Sequence, residues 1–299
     1  MDDKRPLADG NITRAALLNF GSYYSFFYIF INVNTGKTTF WSGMSQPSAG
    51  DNLWCRRYRP ARNAAARLVC LPHAGGSAPF FLPVAVALSP GVDVVAIQYP
   101  GRQDRRTEQP ISDIAVLADQ VHAILRRQPE MPVTLFGHSL GAILGFEVAR
   151  RLEADGHGPV RLFASGRRAP STYRDEKVHL LDDAGILAEL RKMNGTASSV
   201  LGDDEMMRAA LPALRADYQA AETYSCAPEI TVKCPISALT GDNDTKTTVE
   251  EAGAWARHTS GAFDLQVFPG GHFYLTDQAD QVIKILDRHL HGDRARSMA

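Results

Sequence analysis

The stretch Met131-Pro-Val-Thr-Leu-Phe-Gly-His-Ser-Leu-Gly-Ala-Ile-Leu-Gly-Phe-Glu-Val-Ala-Arg150 constrains the fold more than any other part of the 299-residue chain. Its pattern predicts a short buried strand over residues 133–136, a sharp turn over 137–141, and then a helix. A serine centred in Gly-x-Ser-x-Gly on such a corner is lifted out of the sheet by a strained backbone. Glycines two residues to either side avoid collision with the neighbouring strand and helix. The helix N-terminus behind Ser139 supplies free N–H groups and a positive dipole end, both suited to a developing oxyanion. At ordinary Gly and Ser usage a random chain of this length holds roughly 0.1 such matches. The strand–turn–helix context therefore gives the pattern its weight and makes Ser139 a candidate nucleophile.

The flanking sequence repeats the same alternation. Short apolar runs at 67–71, 92–98, 160–164, 236–239 and 265–268 read as strands. Between them lies a helix capped by Ser112, with Ile114, Leu117, Val121, Ile124 and Leu125 on one face. A last helix is expected near 277–290, followed by a loose tail at 292–299. Short apolar strands alternating with amphipathic helices predict a mostly parallel α/β sheet covered on both faces. A long polar insert separates the strands at 160–164 and 236–239. Its segments 184–193 and 205–222 read as helices, with Met193, Met206 and Met207 as adaptable apolar contacts.

Residues 1–43 differ in character from the rest. Their aromatic, Asn-rich run at 15–33 is interrupted by Asn19, Ser22 and Ser25, which argues against a signal peptide or membrane anchor. The expected organisation is an extension or mis-assigned start over 1–43, poorly ordered, followed by one domain over 44–299. A formal net charge of −1 gives no global attraction to nucleic acid or anionic membrane. The four cysteines show no metal-binding spacing. Their usage suits a reducing cytoplasm, with a Cys226–Cys234 disulfide left open.

A serine hydroxyl needs a base within hydrogen-bond reach and an acid to orient that base. In the α/β-hydrolase order the acid and then the histidine follow the serine. The turn after the strand at 236–239 carries Asp242 and Asp244, and the turn after the last strand carries His272. Both turns lie at strand C-terminal ends, where open α/β sheets place their sites. Asp244 is assigned as the acid, with Asp242 as runner-up and alternative turn cap. His138 is expected to point away across the elbow and to pack. The oxyanion donors are assigned to the N–H groups of Leu140 and Ala74, the latter from the loop Pro72-His-Ala-Gly-Gly76. No metal or redox cofactor is implied.

These residues resemble the free-standing type II thioesterases of polyketide and non-ribosomal peptide synthesis. The resemblance is carried by Leu71-Pro-His-Ala-Gly-Gly-Ser-Ala78, Tyr99-Pro-Gly-Arg102, Phe136-Gly-His-Ser-Leu-Gly-Ala142, Ser165-Gly-Arg-Arg-Ala-Pro170, Gly241-Asp-Asn-Asp244 and Phe268-Pro-Gly-Gly-His272. It covers roughly residues 52–290. Thr245 departs from it, standing where many relatives carry proline. The resemblance implies an α/β-hydrolase fold with a helical lid at about 171–230. It also implies hydrolysis of acyl thioesters from the phosphopantetheine arm of carrier proteins. Arg102 and Arg105 then become candidate contacts to the carrier or its phosphopantetheine, against the simpler reading of a solvated charged turn. The alternatives are a general carboxyl-ester hydrolase on the same fold and a catalytically silent carrier-binding scaffold.

Overall fold

The computed structural model describes residues 53–193 and 204–297. The expected boundary at Met44 and the segment before it lie outside these residues, and the side chains of Met193, Met206 and Met207 are likewise not described. The elements, in chain order, are β1 (Cys55–Arg56), β2 (Arg67–Leu71), α1 (Leu82–Leu88), β3 (Asp93–Ile97), α2 (Ile114–Leu125), β4 (Val133–His138), α3 (Leu140–Ala154) and β5 (Arg161–Ser165). There follow α4 (Asp183–Met193), α5 (Asp204–Thr223), β6 (Ile236–Gly241), α6 (Val249–Gly253), β7 (Phe263–Phe268), α7 (Tyr274–Asp277) and α8 (Ala279–Ser297).

Seven strands form one sheet in the order β1-β3-β2-β4-β5-β6-β7, antiparallel only at β1–β3. The central strands are buried along almost their whole length and mostly apolar, because both faces are covered. Alternate residues of β2 serve opposite cores, as the two-residue period of a strand requires. Val69 and Leu71 join Leu117, Val121, Ile143 and Phe146 of α2 and α3 on one face. Leu68 and Cys70 join Leu88 of α1 and Val282, Ile285 and Leu286 of α8 on the other.

Local details differ from the sequence expectation in two places. The cap of α2 is Asp113, whose carboxylate accepts the Val116 N–H at 3.0 Å. Ser112 stands one residue too early to reach that donor. The tail expected to be loose continues α8 to Ser297. Helix α5 carries Pro212 in its interior, yet spans the segment read as helical. The insert between β5 and β6 has an apolar centre of its own, built from Val178, Ile186, Leu190, Leu211, Leu214 and Tyr218. Its helices thus support one another before they meet the sheet.

Candidate active site

Strand β4 delivers Ser139 to the sheet edge with φ 55° and ψ −113°, a positive φ that is costly for a residue with a side chain. The neighbouring strand helps to hold it there, since the Ser139 N–H donates to Ser165 O at 2.8 Å. Ser139 is half-buried, while the residues on either side of it are buried. Gly141 permits the elbow: a Cβ built on it would lie 2.0 Å from Leu71 O. The end of β2 and the start of α3 can approach that closely only without a side chain between them.

Two loops from adjacent parallel strands meet beside this elbow. His272, after β7, directs Nδ1 to both carboxylate oxygens of Asp244, after β6, at 2.9 and 3.1 Å. The Asp244 side chain is fully buried and that of His272 is nearly so. Asp244 Oδ1 also accepts the Lys246 N–H at 2.8 Å, which fixes the carboxylate from its own loop. Asp242, the competing acid, has another task. Its Oδ1 accepts the Gly270 N–H at 2.9 Å and so staples the acid loop to the histidine loop. An N–H on Nδ1 leaves the Nε2 lone pair of His272 as the proton acceptor, the arrangement a serine nucleophile requires.

His138 does not point away. Its ring centroid lies 5.1 Å from that of His272, and its Nδ1 is 2.9 Å from Ser165 Oγ, which in turn meets Tyr274 OH at 2.7 Å. His73 packs edge-on against Phe80 and Phe273, at 4.8 and 5.0 Å. Burial, reinforced by His272 and Arg102, depresses the His73 pKa to about 3. Burial, with His272 and His73 adding to it, holds His138 well below the ordinary histidine range. Both rings therefore stay neutral at physiological pH and pack around the base.

The loop after β2 closes as a four-residue turn. The Gly76 N–H donates to His73 O at 2.9 Å, and Gly75, at the third position, takes φ +72°. That conformation favours glycine there. Among the described residues, neither the Ala74 N–H nor the Leu140 N–H donates to a protein acceptor. Both therefore stay available for a developing charge.

Arg102 and Arg105 do not present themselves to a partner. Both are buried. Arg102 forms a two-pronged pair with Asp217 of α5, Nη1–Oδ2 2.7 Å and Nη2–Oδ1 2.9 Å. Arg105 donates to Gln98 O and Glu108 and lies 4.3 Å over the Trp54 ring. Both guanidiniums thus spend their donors on internal acceptors, and any contact with a carrier would have to compete with these bonds. Asp217 itself was not foreseen, because its partners lie more than 100 residues away and no local spacing marks it. Arg167 and Arg168 are also tied inward, to Ala221 O and to Thr172 O and Glu176.

The thioesterase domain family matches residues 66–290. The chain belongs to the thioesterase family. It is 54% identical over 246 residues to a probable cadicidin biosynthesis thioesterase of Streptomyces griseus, covering 82% of this chain and 68% of that protein. It is 49% identical to thioesterase PikA5 of Streptomyces venezuelae, covering 80% of this chain and 85% of that protein. Among solved structures, the type II thioesterase BorB from the borrelidin biosynthetic cluster is 53% identical with a TM-score of 0.76, covering 80% and 98% of the two chains. The type II thioesterase YbtT, from the yersiniabactin pathway, is 32% identical with a TM-score of 0.72, covering 80% and 99%. This thioesterase is accordingly an acyl thioester hydrolase, and its kinship favours an editing enzyme over a general esterase. No helix among the described residues of the thioesterase is long and apolar enough to cross a membrane.

Proposed function

We propose that this enzyme releases aberrant or stalled acyl groups from the phosphopantetheine arm of carrier proteins in polyketide or non-ribosomal peptide synthesis. Ser139 is the nucleophile, His272 the base and Asp244 the group that orients it. The observation that carries the assignment is the doubly hydrogen-bonded His272–Asp244 pair, set at the edge of the sheet from which Ser139 projects. His272 Nε2 takes the Ser139 proton as Oγ attacks the thioester carbonyl. The tetrahedral oxyanion is held by the Ala74 and Leu140 N–H groups. The imidazolium then protonates the departing pantetheine sulfur, and the acyl group remains on Ser139. A water molecule deprotonated by His272 attacks the acyl-enzyme and releases the carboxylic acid.

The insert over about 171–230 acts as the lid that borders the acyl channel. A small open cleft at the boundary of the insert is lined by Ile143 of α3, Arg167, Arg168, Tyr173 and Tyr224. No disulfide joins the four cysteines among the described residues, and a reducing cytoplasm is the setting this reading assumes. The deciding experiment follows an acyl-loaded carrier protein by intact mass, with wild type, Ser139→Ala and a p-nitrophenyl ester in parallel. Rapid release that depends on Ser139 is expected. Turnover of the free ester alone would overturn the carrier assignment.

A further inference from the structure

We propose that Asp217, on helix α5, is a positioning residue that holds the oxyanion loop in its working shape, so that the loop is competent only while α5 is docked. This rests on the assignment of Ala74 as an oxyanion donor. Asp217 Oδ2 accepts the Gly75 N–H at 2.7 Å and Arg102 Nη1 at 2.7 Å, while Oδ1 accepts Arg102 Nη2 at 2.9 Å. The same Arg102 Nη1 donates to Gly76 O at 3.2 Å, and Nη2 donates to Pro100 O at 3.2 Å. One carboxylate thus grips the residue after Ala74 directly and the next residue through the arginine.

The loop needs this grip. Gly75 and Gly76 have no side chains to pack, so only hydrogen bonds fix the turn that aims the Ala74 N–H. Other bonds anchor the ends of the loop: Tyr99 OH donates to Pro72 O at 3.1 Å, and the Ala78 N–H donates to Gln98 Oε1 at 2.8 Å. The centre of the loop is held from α5. The Asp217 and Arg102 side chains are 2% and 7% exposed. At that burial a charge is tolerated only when it is paired and hydrogen-bonded, as both are. Helix α5 sits on the insert core through Leu211, Leu214 and Tyr218, and on the main core through Ala220 and Ala221. Displacing α5 would withdraw the carboxylate from the loop.

The test uses Asp217→Asn in the full chain, because the amide removes the charge that pairs with Arg102 and must turn an NH2 donor toward at least one prong of the guanidinium or toward the Gly75 N–H. The kcat for carrier-bound acyl hydrolysis is expected to fall about 10- to 100-fold, less than the loss of an oxyanion donor itself, with KM within about threefold. A trifluoromethyl ketone analogue of acyl-pantetheine, which forms a tetrahedral oxyanion adduct, should lose affinity by the same factor. The corresponding unreactive amide should bind as it does to wild type. Arg102→Lys, which keeps the charge but not the fork, should give a smaller loss with the same pairing of kcat and ketone affinity, and it carries the test if the Asn variant fails to fold. An unchanged kcat, or a kcat loss not mirrored by the ketone, overturns the proposal. If wild type neither binds the ketone nor reacts with a fluorophosphonate at Ser139, the serine-hydrolase assignment fails instead.

Discussion

His272 Nδ1 lies 2.9 Å from Asp244 Oδ2, whereas Asp242, two residues before Asp244 in the same loop, bonds the Gly270 backbone instead. The two carboxylates should therefore separate cleanly on substitution. Asp244→Asn is expected to lower kcat about 10³- to 10⁴-fold, because the amide favours the wrong imidazole tautomer. Asp242→Asn keeps an oxygen for the Gly270 N–H and should change kcat by less than about threefold. Steady-state kinetics on an acyl-loaded carrier distinguish them, and equal losses would reopen the choice of acid.

The close approach at the elbow makes a stability prediction. In Gly141→Ala the new methyl would meet Leu71 O, a backbone atom of the central sheet that cannot move aside. Unfolding in urea should show a loss of more than about 3 kcal/mol, at the upper end for overpacking. A loss below about 1 kcal/mol would mean that β2 and α3 can separate there.

Arg105 offers a direct check on surface docking. Its guanidinium bonds Gln98 O at 2.6 Å and Glu108 at 2.6 Å, and its side chain is 5% exposed. Arg105→Ala should cost about 1.5–3 kcal/mol through the lost charge-assisted bonds and the carbonyl left unpaired. The KM for carrier substrate should stay within about twofold. A raised KM at unchanged stability would support the docking role.

The neutral histidines give the fold a pH signature. His73 has a folded pKa of about 3, against an ordinary value of 6.5, because burial disfavours its charged form. Below that ordinary value the unfolded chain binds a proton that the folded protein does not. The stabilising contribution is thus fully present above about pH 6.5 and is lost as pH falls toward 3, at up to about 1.4 kcal/mol per pH unit. His73→Gln should flatten the slope of unfolding free energy between about pH 4.5 and 6.5 by up to that amount, measured by urea titration.

The local order along the chain was legible from sequence because it rests on local rules. Apolar runs of strand length, the amphipathic stripe of α2 and the glycines around Ser139 identified the alternation, the elbow and the parallel sheet without reference to distant residues. Both candidate carboxylates and His272 could also be placed at strand ends, since chain order and strand polarity put them at one edge. Sequence preferred Asp244 to Asp242 without showing their partners; in the tertiary structure both reach the loop 28 residues later, Asp244 bonding the His272 ring and Asp242 the Gly270 backbone. The tertiary structure also turned Arg102 inward. An arginine after Tyr-Pro-Gly reads equally well as a surface charge until Asp217 arrives from 115 residues away. Local sequence fixes backbone conformation and periodicity. The partner of a charged side chain is decided by which distant segment packs beside it, and burial then makes that pairing obligatory.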